Sequence, residues 1–383
     1  MLDRRRFLCA ASALAALSPR ISALWAAEPG SSGVIAGAIR WDAWYKRADS
    51  SIYAQNSLGP KKYHGRAPSH CTEISDSEID CEGSQSVMDA EIDAAVRGGL
   101  KYWAFCWYPA NSSLRVAWNL YQSSAKRDRI NWCGIVGLNM LGSRPFKDGT
   151  WKENVSTWLG YMRQSNYQKI SVDGVGQRPL LYILWDPNHL HWFFDNDPAN
   201  VRIFLYALRE GALKAGLGNP YVVVLYGAAA LAADFARAAG ADAISSYVAP
   251  LSEERLGPYR DLDVATQAFW HRLAETGLET IPVAMVSWDT RPRLEHPVPW
   301  DHRSKPLNDP KEYFLAPTPG ELAGHFRAAV QFIRKHPKAC ASNALLIYSW
   351  DECDEGGGLL PTLGDPSGSY LTAISGVLAR KES

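Results

Sequence analysis

Asn343-Ala344-Leu345-Leu346-Ile347-Tyr348-Ser349-Trp350-Asp351 is an apolar run that meets its first charge at its last residue. It decides the fold because it recurs. Comparable runs occupy residues 34–41, 102–107, 134–138, 179–185, 221–226, 241–247 and 281–288. Their hydrophobicity is continuous rather than alternating, which is the pattern of parallel strands covered on both faces. Between them lie stretches of helical spacing at 87–97, 114–125, 151–164, 201–215, 228–239, 264–275, 320–336 and 369–379. Gly98-Gly99, Gly216-Leu217-Gly218, Gly240 and Gly277 follow several of these as helix stops. Eight strands alternating with eight helices predict a single (β/α)8 TIM barrel, with a doubly wound open sheet as the competing arrangement.

The same pattern orders the rest of the chain. Residues 46–85 and 291–316 are polar and lack sustained periodicity, so they read as elaborated loops after strands 1 and 7. In a barrel both reach the C-terminal face, where catalytic loops gather. Asp3-Arg4-Arg5-Arg6-Phe7-Leu8 opens a short run of small and apolar residues. Residues 1–27 therefore read as an export signal of twin-arginine type, and 28–383 as the barrel domain, periplasmic or secreted. The apolar run is too short for a permanent span, so no membrane span is expected in the mature protein.

Lysine plus arginine total 40 and aspartate plus glutamate total 40, so no global field recruits nucleic acid. Of seven cysteines, Cys71 and Cys81 share one polar segment. They are candidates for a disulfide, or for a zinc site with His64 and His70 that lacks any standard ligand spacing. No Gly-x-Ser-x-Gly elbow, phosphate loop or dinucleotide loop occurs, and no cofactor or metal is called for.

Four inferred strands end in the same dipeptide: Trp41-Asp42, Trp185-Asp186, Trp288-Asp289 and Trp350-Asp351, with Trp107-Tyr108 ending another. An indole covers the apolar face of a pyranose and a carboxylate beside it accepts hydroxyl hydrogen bonds, so these positions are candidate sugar contacts. Tyr45, Tyr247 and Arg293 join them as candidates on the same rim. The alternative is that the tryptophans cap the core and the aspartates cap helices. After the eighth strand comes Asp351-Glu352-Cys353-Asp354-Glu355, with three glycines beyond it. Crowded carboxylates raise the pKa of at least one member, and one helical turn brings Glu352 and Glu355 to the same side. Such a pair is the equipment for breaking a glycosidic bond. Clustered carboxylates also suit a divalent cation, but the Asp-x-Asp-x-Asp pattern is absent. His189-Leu190-His191 lies just past the Asp186 strand end.

Trp350-Asp351-Glu352-Cys353-Asp354-Glu355-Gly356 resembles the Trp-Asn-Glu-Trp-x-Glu-Gly motif of the WbsX-like proteins, relatives of glycoside hydrolase family 99, the endo-α-mannosidase-like enzymes. Trp288-Asp289-Thr290-Arg291-Pro292-Arg293 is similar to the family's Trp-Asp-Asn-Thr-Pro-Arg with one residue missing. Leu360-Pro361 through Gly368-Ser369-Tyr370-Leu371 resembles the family's glutamate-proline, glycine and tyrosine-leucine run. The resemblance implies a barrel, a carbohydrate substrate, no required metal and a retaining mechanism. In it Glu352 assists the sugar 2-hydroxyl, and Glu355 serves as general acid and then base. Asp351 replaces asparagine and Cys353 replaces an aromatic. Glycosyltransfer in surface polysaccharide assembly and non-catalytic sugar binding are the rival expectations.

Overall fold

The computed structural model describes residues 33–172, 174–250, 255–300 and 312–379. The export signal expected at 1–27 lies outside them, as does much of the loop 291–316. Eight parallel positions form one sheet: β1 Ile35–Arg40, β2 Tyr102–Cys106, β3 Asn131–Gly137, β4 Val175–Leu184, β5 Tyr221–Leu225, β6 Ala243–Ser245, β7 Glu279–Thr280 with Val283–Met285, and β8 Ala344–Tyr348. Each agrees with an apolar run of the sequence to within a few residues.

The first and last strands are paired, Ile35 opposite Ala344 and Ala38 opposite Ile347. β7 supplies both remaining ends of the sheet. Its Glu279–Thr280 half pairs with β6 and its Val283–Met285 half with β8. Pro282, which has no N–H, sits between the halves, and the ladder breaks there. Ile281 N–H still reaches the Ile244 carbonyl at 3.1 Å, and the Pro282 carbonyl accepts from Leu346 N–H at 3.1 Å. The sheet thus closes on itself as a barrel rather than remaining open and doubly wound.

Eight helices cover it: α1 Gln85–Arg97, α2 Val116–Ser123, α3 Trp151–Met162, α4 Pro198–Lys214, α5 Ala229–Ala239, α6 Tyr259–Glu275, α7 Pro319–Lys335 and α8 Ser369–Leu378. Local chemistry starts several of them. The Asp197 side chain accepts from Ala199 N–H before Pro198 opens α4, and Thr318 forms a capping box with Glu321 on α7. Gly240 ends α5 at φ +75°, a conformation that costs glycine little. Inside the barrel the Tyr102 and Tyr182 hydroxyls meet at 2.8 Å. Gly37 leaves room for the Tyr102 ring, which a Cβ there would meet at 2.1 Å.

The segment 46–85 holds more order than its sequence announces: helix Ser51–Ser57, a 3-10 turn Lys61–Arg66 and a hairpin of Thr72–Ser75 with Glu78–Asp80. Cys71 and Cys81, ten residues apart, form a disulfide beneath the hairpin. This rules out zinc at these cysteines, and both histidines have other partners. His64 Nδ1 faces Glu73 at 3.2 Å, and His70 Nε2 lies 2.9 Å from the Trp44 carbonyl. Elements this short gain from such a cross-link, although Leu58 and Ile79 are also buried in the core. Replacing both cysteines by serine should cost roughly 3 kcal/mol by loop entropy, read from urea unfolding with and without reductant. A difference near zero would mean that the packing alone holds this loop.

Candidate active site

Glu352 and Glu355 stand at the two ends of one turn. Cys353–Glu355 is a single 3-10 turn that begins after Glu352 and ends at Gly356, φ +73°. Three residues per turn eclipse positions i and i+3, so both carboxylates come to the same side. There they meet Arg293 from the loop after β7. Its Nη2 lies 3.3 Å from Glu352 Oε2, and its Nη1 pairs closely with Glu355 Oε1. Its Nε and Nη2 also grip the Asp354 carboxylate at 2.6 and 3.1 Å. The Tyr247 hydroxyl donates to Glu352 Oε1 at 2.5 Å, and the Tyr348 hydroxyl to Glu355 Oε2. All these groups are buried or half-buried at the C-terminal mouth of the barrel.

Burial, joined by the charge of Glu355, pushes the Glu352 carboxyl up to about 8 despite Arg293. Burial is also the largest influence on Arg293 and would lower its pKa, but Asp354, Glu355 and Glu352 outweigh it and the result is raised. Gly357 lies under the Tyr348 ring, where a Cβ would meet it at 2.6 Å, so the glycine-rich run lets the acidic turn fold back on β8.

A second buried ionic group lies below. Arg40, with no exposed surface, pairs with Asp42 at 2.7 Å and Glu91 at 2.7 Å, and its guanidinium lies 4.3 Å from the Trp103 ring centre. Asp351 Oδ1 accepts the Trp41 N–H at 2.8 Å, while Oδ2 is buried with no protein donor. That oxygen is satisfied once Asp42 and Asp351 share a proton. Burial, and then the charge of Asp42, raise the Asp351 carboxyl accordingly. Its surroundings thus favour the neutral form of Asp351 beside Glu352.

The Trp-Asp rim divides. Trp41 lies over the site, its Nε1 donating to Tyr108 at 2.8 Å, with the Arg293 guanidinium 5.4 Å from its ring centre. Trp288 is half-buried beside Tyr348, and the Asp289 N–H donates to the Glu355 carbonyl at 2.7 Å. The Asp289 carboxylate itself is taken by Arg291 and Arg66. The others make their contacts within the fold. Trp350 is fully buried with Nε1 donating to Glu91, and Trp107 packs on Trp132, Trp158 and the Arg115 guanidinium. Trp185 stacks on Phe235 of α5, and Asp186 caps helix Pro187–Phe193, which carries His189 and His191. Tyr45 is buried with its hydroxyl on Arg40. Cys353 is also buried, packed against Gly358 rather than facing an open site.

Two participants escape the sequence reading. Tyr348 reads as one more apolar strand residue, although its place two before Trp350 marks it as lying at the strand end. Trp300 is 37% exposed and stands edge-on to Trp41 at 5.5 Å. Its only signal is that the loop after strand 7 carries a tryptophan among prolines and charges.

No family model and no curated protein matches the chain. Among solved structures, the chain is similar to the GH99 endo-α-mannosidase from Bacteroides thetaiotaomicron bound to bis-tris-propane, at 14% identity and TM-score 0.53, covering 90% of this chain and 96% of that one. The same enzyme without that ligand gives 12% identity and TM-score 0.52 over the same shares. At such identities the likeness concerns architecture: the chain has the α/β-barrel fold of that glycosidase along nearly its whole described length.

Proposed function

We propose that the protein is a retaining glycoside hydrolase acting on a polysaccharide or oligosaccharide, a WbsX-like relative of the family 99 enzymes. The observation that carries this reading is the meeting of Glu352 and Glu355 at one guanidinium under Trp41. In it, Glu352 assists the sugar 2-hydroxyl, and Glu355 protonates the leaving oxygen and then activates water. Trp41, Trp300 and Trp288 offer aromatic surface to sugar rings, and Tyr247 and Tyr108 line the approach. Action outside the cytoplasm is part of the proposal, supported by the leader-like residues 3–17 and the Cys71–Cys81 disulfide.

The test is reducing-sugar release from a panel of bacterial and fungal glycans, mannans included, with the anomer of the first product read by proton NMR. Release with retained configuration, abolished in Glu352→Gln, is expected. Inverted product would overturn the retaining assignment. Tight glycan binding with no release anywhere in the panel would favour the non-catalytic binding barrel, and selective binding of a nucleotide sugar would favour the transferase.

A further inference from the structure

The contacts of Arg293 are unequal. Asp354 receives two bonds and Glu355 one close bond, while Glu352 is farthest at 3.3 Å and takes its nearest bond from Tyr247. Several elements face Glu352: Tyr247 after β6, Cys106 and Tyr108 at the end of β2, Tyr348 on β8, Arg293 after β7, and Asp354 and Glu355 on its own turn. Among these described residues Arg293 alone carries a positive charge. Its guanidinium is anchored whatever Glu352 does, because Asp354 holds it on two nitrogens and Asp289 holds the start of its short helix through Arg291. A fixed cation beside two carboxylates stabilises the ionised form of the nearer one most.

We propose, on the reading that Glu352 and Glu355 are the catalytic pair, that Arg293 is a positioning residue: in the empty site it keeps Glu355 as its ionic partner and leaves the pair's shared proton on Glu352. The raised pKa of Glu352, about 8, agrees with this placement. Catalysis needs the proton on Glu355, so substrate must move it. One O–H bond breaks at Glu352, one forms at Glu355, and the proton count of the pair is unchanged. A sugar 2-hydroxyl donating to Glu352 favours its ionised form and drives the exchange. Because the two forms hold the same number of protons, a pH-rate profile alone reports only the pair.

The experiment titrates the glutamate side chains of the ligand-free full chain by carbon-13 NMR, with Glu352→Gln and Glu355→Gln assigning the resonances. Expected is a midpoint near 8 that is missing in Glu352→Gln. In Arg293→Gln it should move up by about one pH unit or more, and Arg293→Lys should recover part of the shift. A highest midpoint belonging to Glu355 would overturn the proposal, as would an unmoved midpoint in a folded Arg293→Gln. If Arg293→Gln does not fold, the wild-type assignment alone decides. No substrate is needed, so the expected titration without any hydrolysis would defeat only the glycosidase reading. Hydrolysis with the resting proton on Glu355 would defeat only the role given to Arg293.

Discussion

Replacing Glu355 by glutamine should reduce turnover of a true glycan substrate by about 10² to 10⁴ while changing binding little. The amide keeps the size of the side chain and can still meet the Tyr348 hydroxyl, and Arg293 remains held by Asp354. What disappears is a group able to give a proton to the leaving oxygen and take one from water. The loss should shrink for aryl glycosides whose leaving group departs as a stable phenolate, since that departure needs no acid. Steady-state kinetics on both substrate types, with binding measured by calorimetry, check this. Full activity in Glu355→Gln would end the assignment, and an equal loss of kcat/KM, which reports the first bond cleavage, on both substrates would deny the acid role.

The largest stability effect is expected below the site. Arg40→Met removes the cation facing Asp42 and Glu91 and leaves two carboxylates buried without it. Breaking a buried pair on one side typically costs about 3–5 kcal/mol, on the order of a third of a domain's whole stability. Methionine fills much of the volume beside Met88, so the loss is electrostatic more than steric. It should therefore depend on pH. Burial already raises Asp42 in the presence of Arg40, and losing the guanidinium raises it further. A carboxyl with a raised folded pKa contributes stability below its unfolded pKa, and that contribution disappears as pH rises through the folded one. The deficit of Arg40→Met relative to wild type should thus be larger near pH 8 than near pH 5 in urea unfolding. An equal deficit at both would assign the cost to packing.

Much of the barrel is legible in the sequence because strands buried on both faces must be apolar throughout, and glycine or capping residues mark the helix ends. The break at Pro282 and the order within 46–85 are not. The first depends on which neighbours the two halves of a strand find, the second on a disulfide and on elements too short to show a period. At the site, the spacing of Glu352 and Glu355 is informative because one turn fixes their relation. The fate of Arg293, Asp42 and Asp289 is not, since which charge pairs with which is decided by elements far apart in the chain. Arg40 carries an unused signal: a charge inside an otherwise apolar strand requires a buried partner.

The bond from Trp41 N–H to Asp351 joins residues 310 positions apart, and β1 hydrogen-bonds to β8 along its length. During synthesis a ribosome must therefore release nearly all of the barrel before β1 can pair with β8. Until then the Trp41 N–H and the β8-facing edge of β1 wait without their counterparts, a long interval in which the nascent chain depends on protection from aggregation.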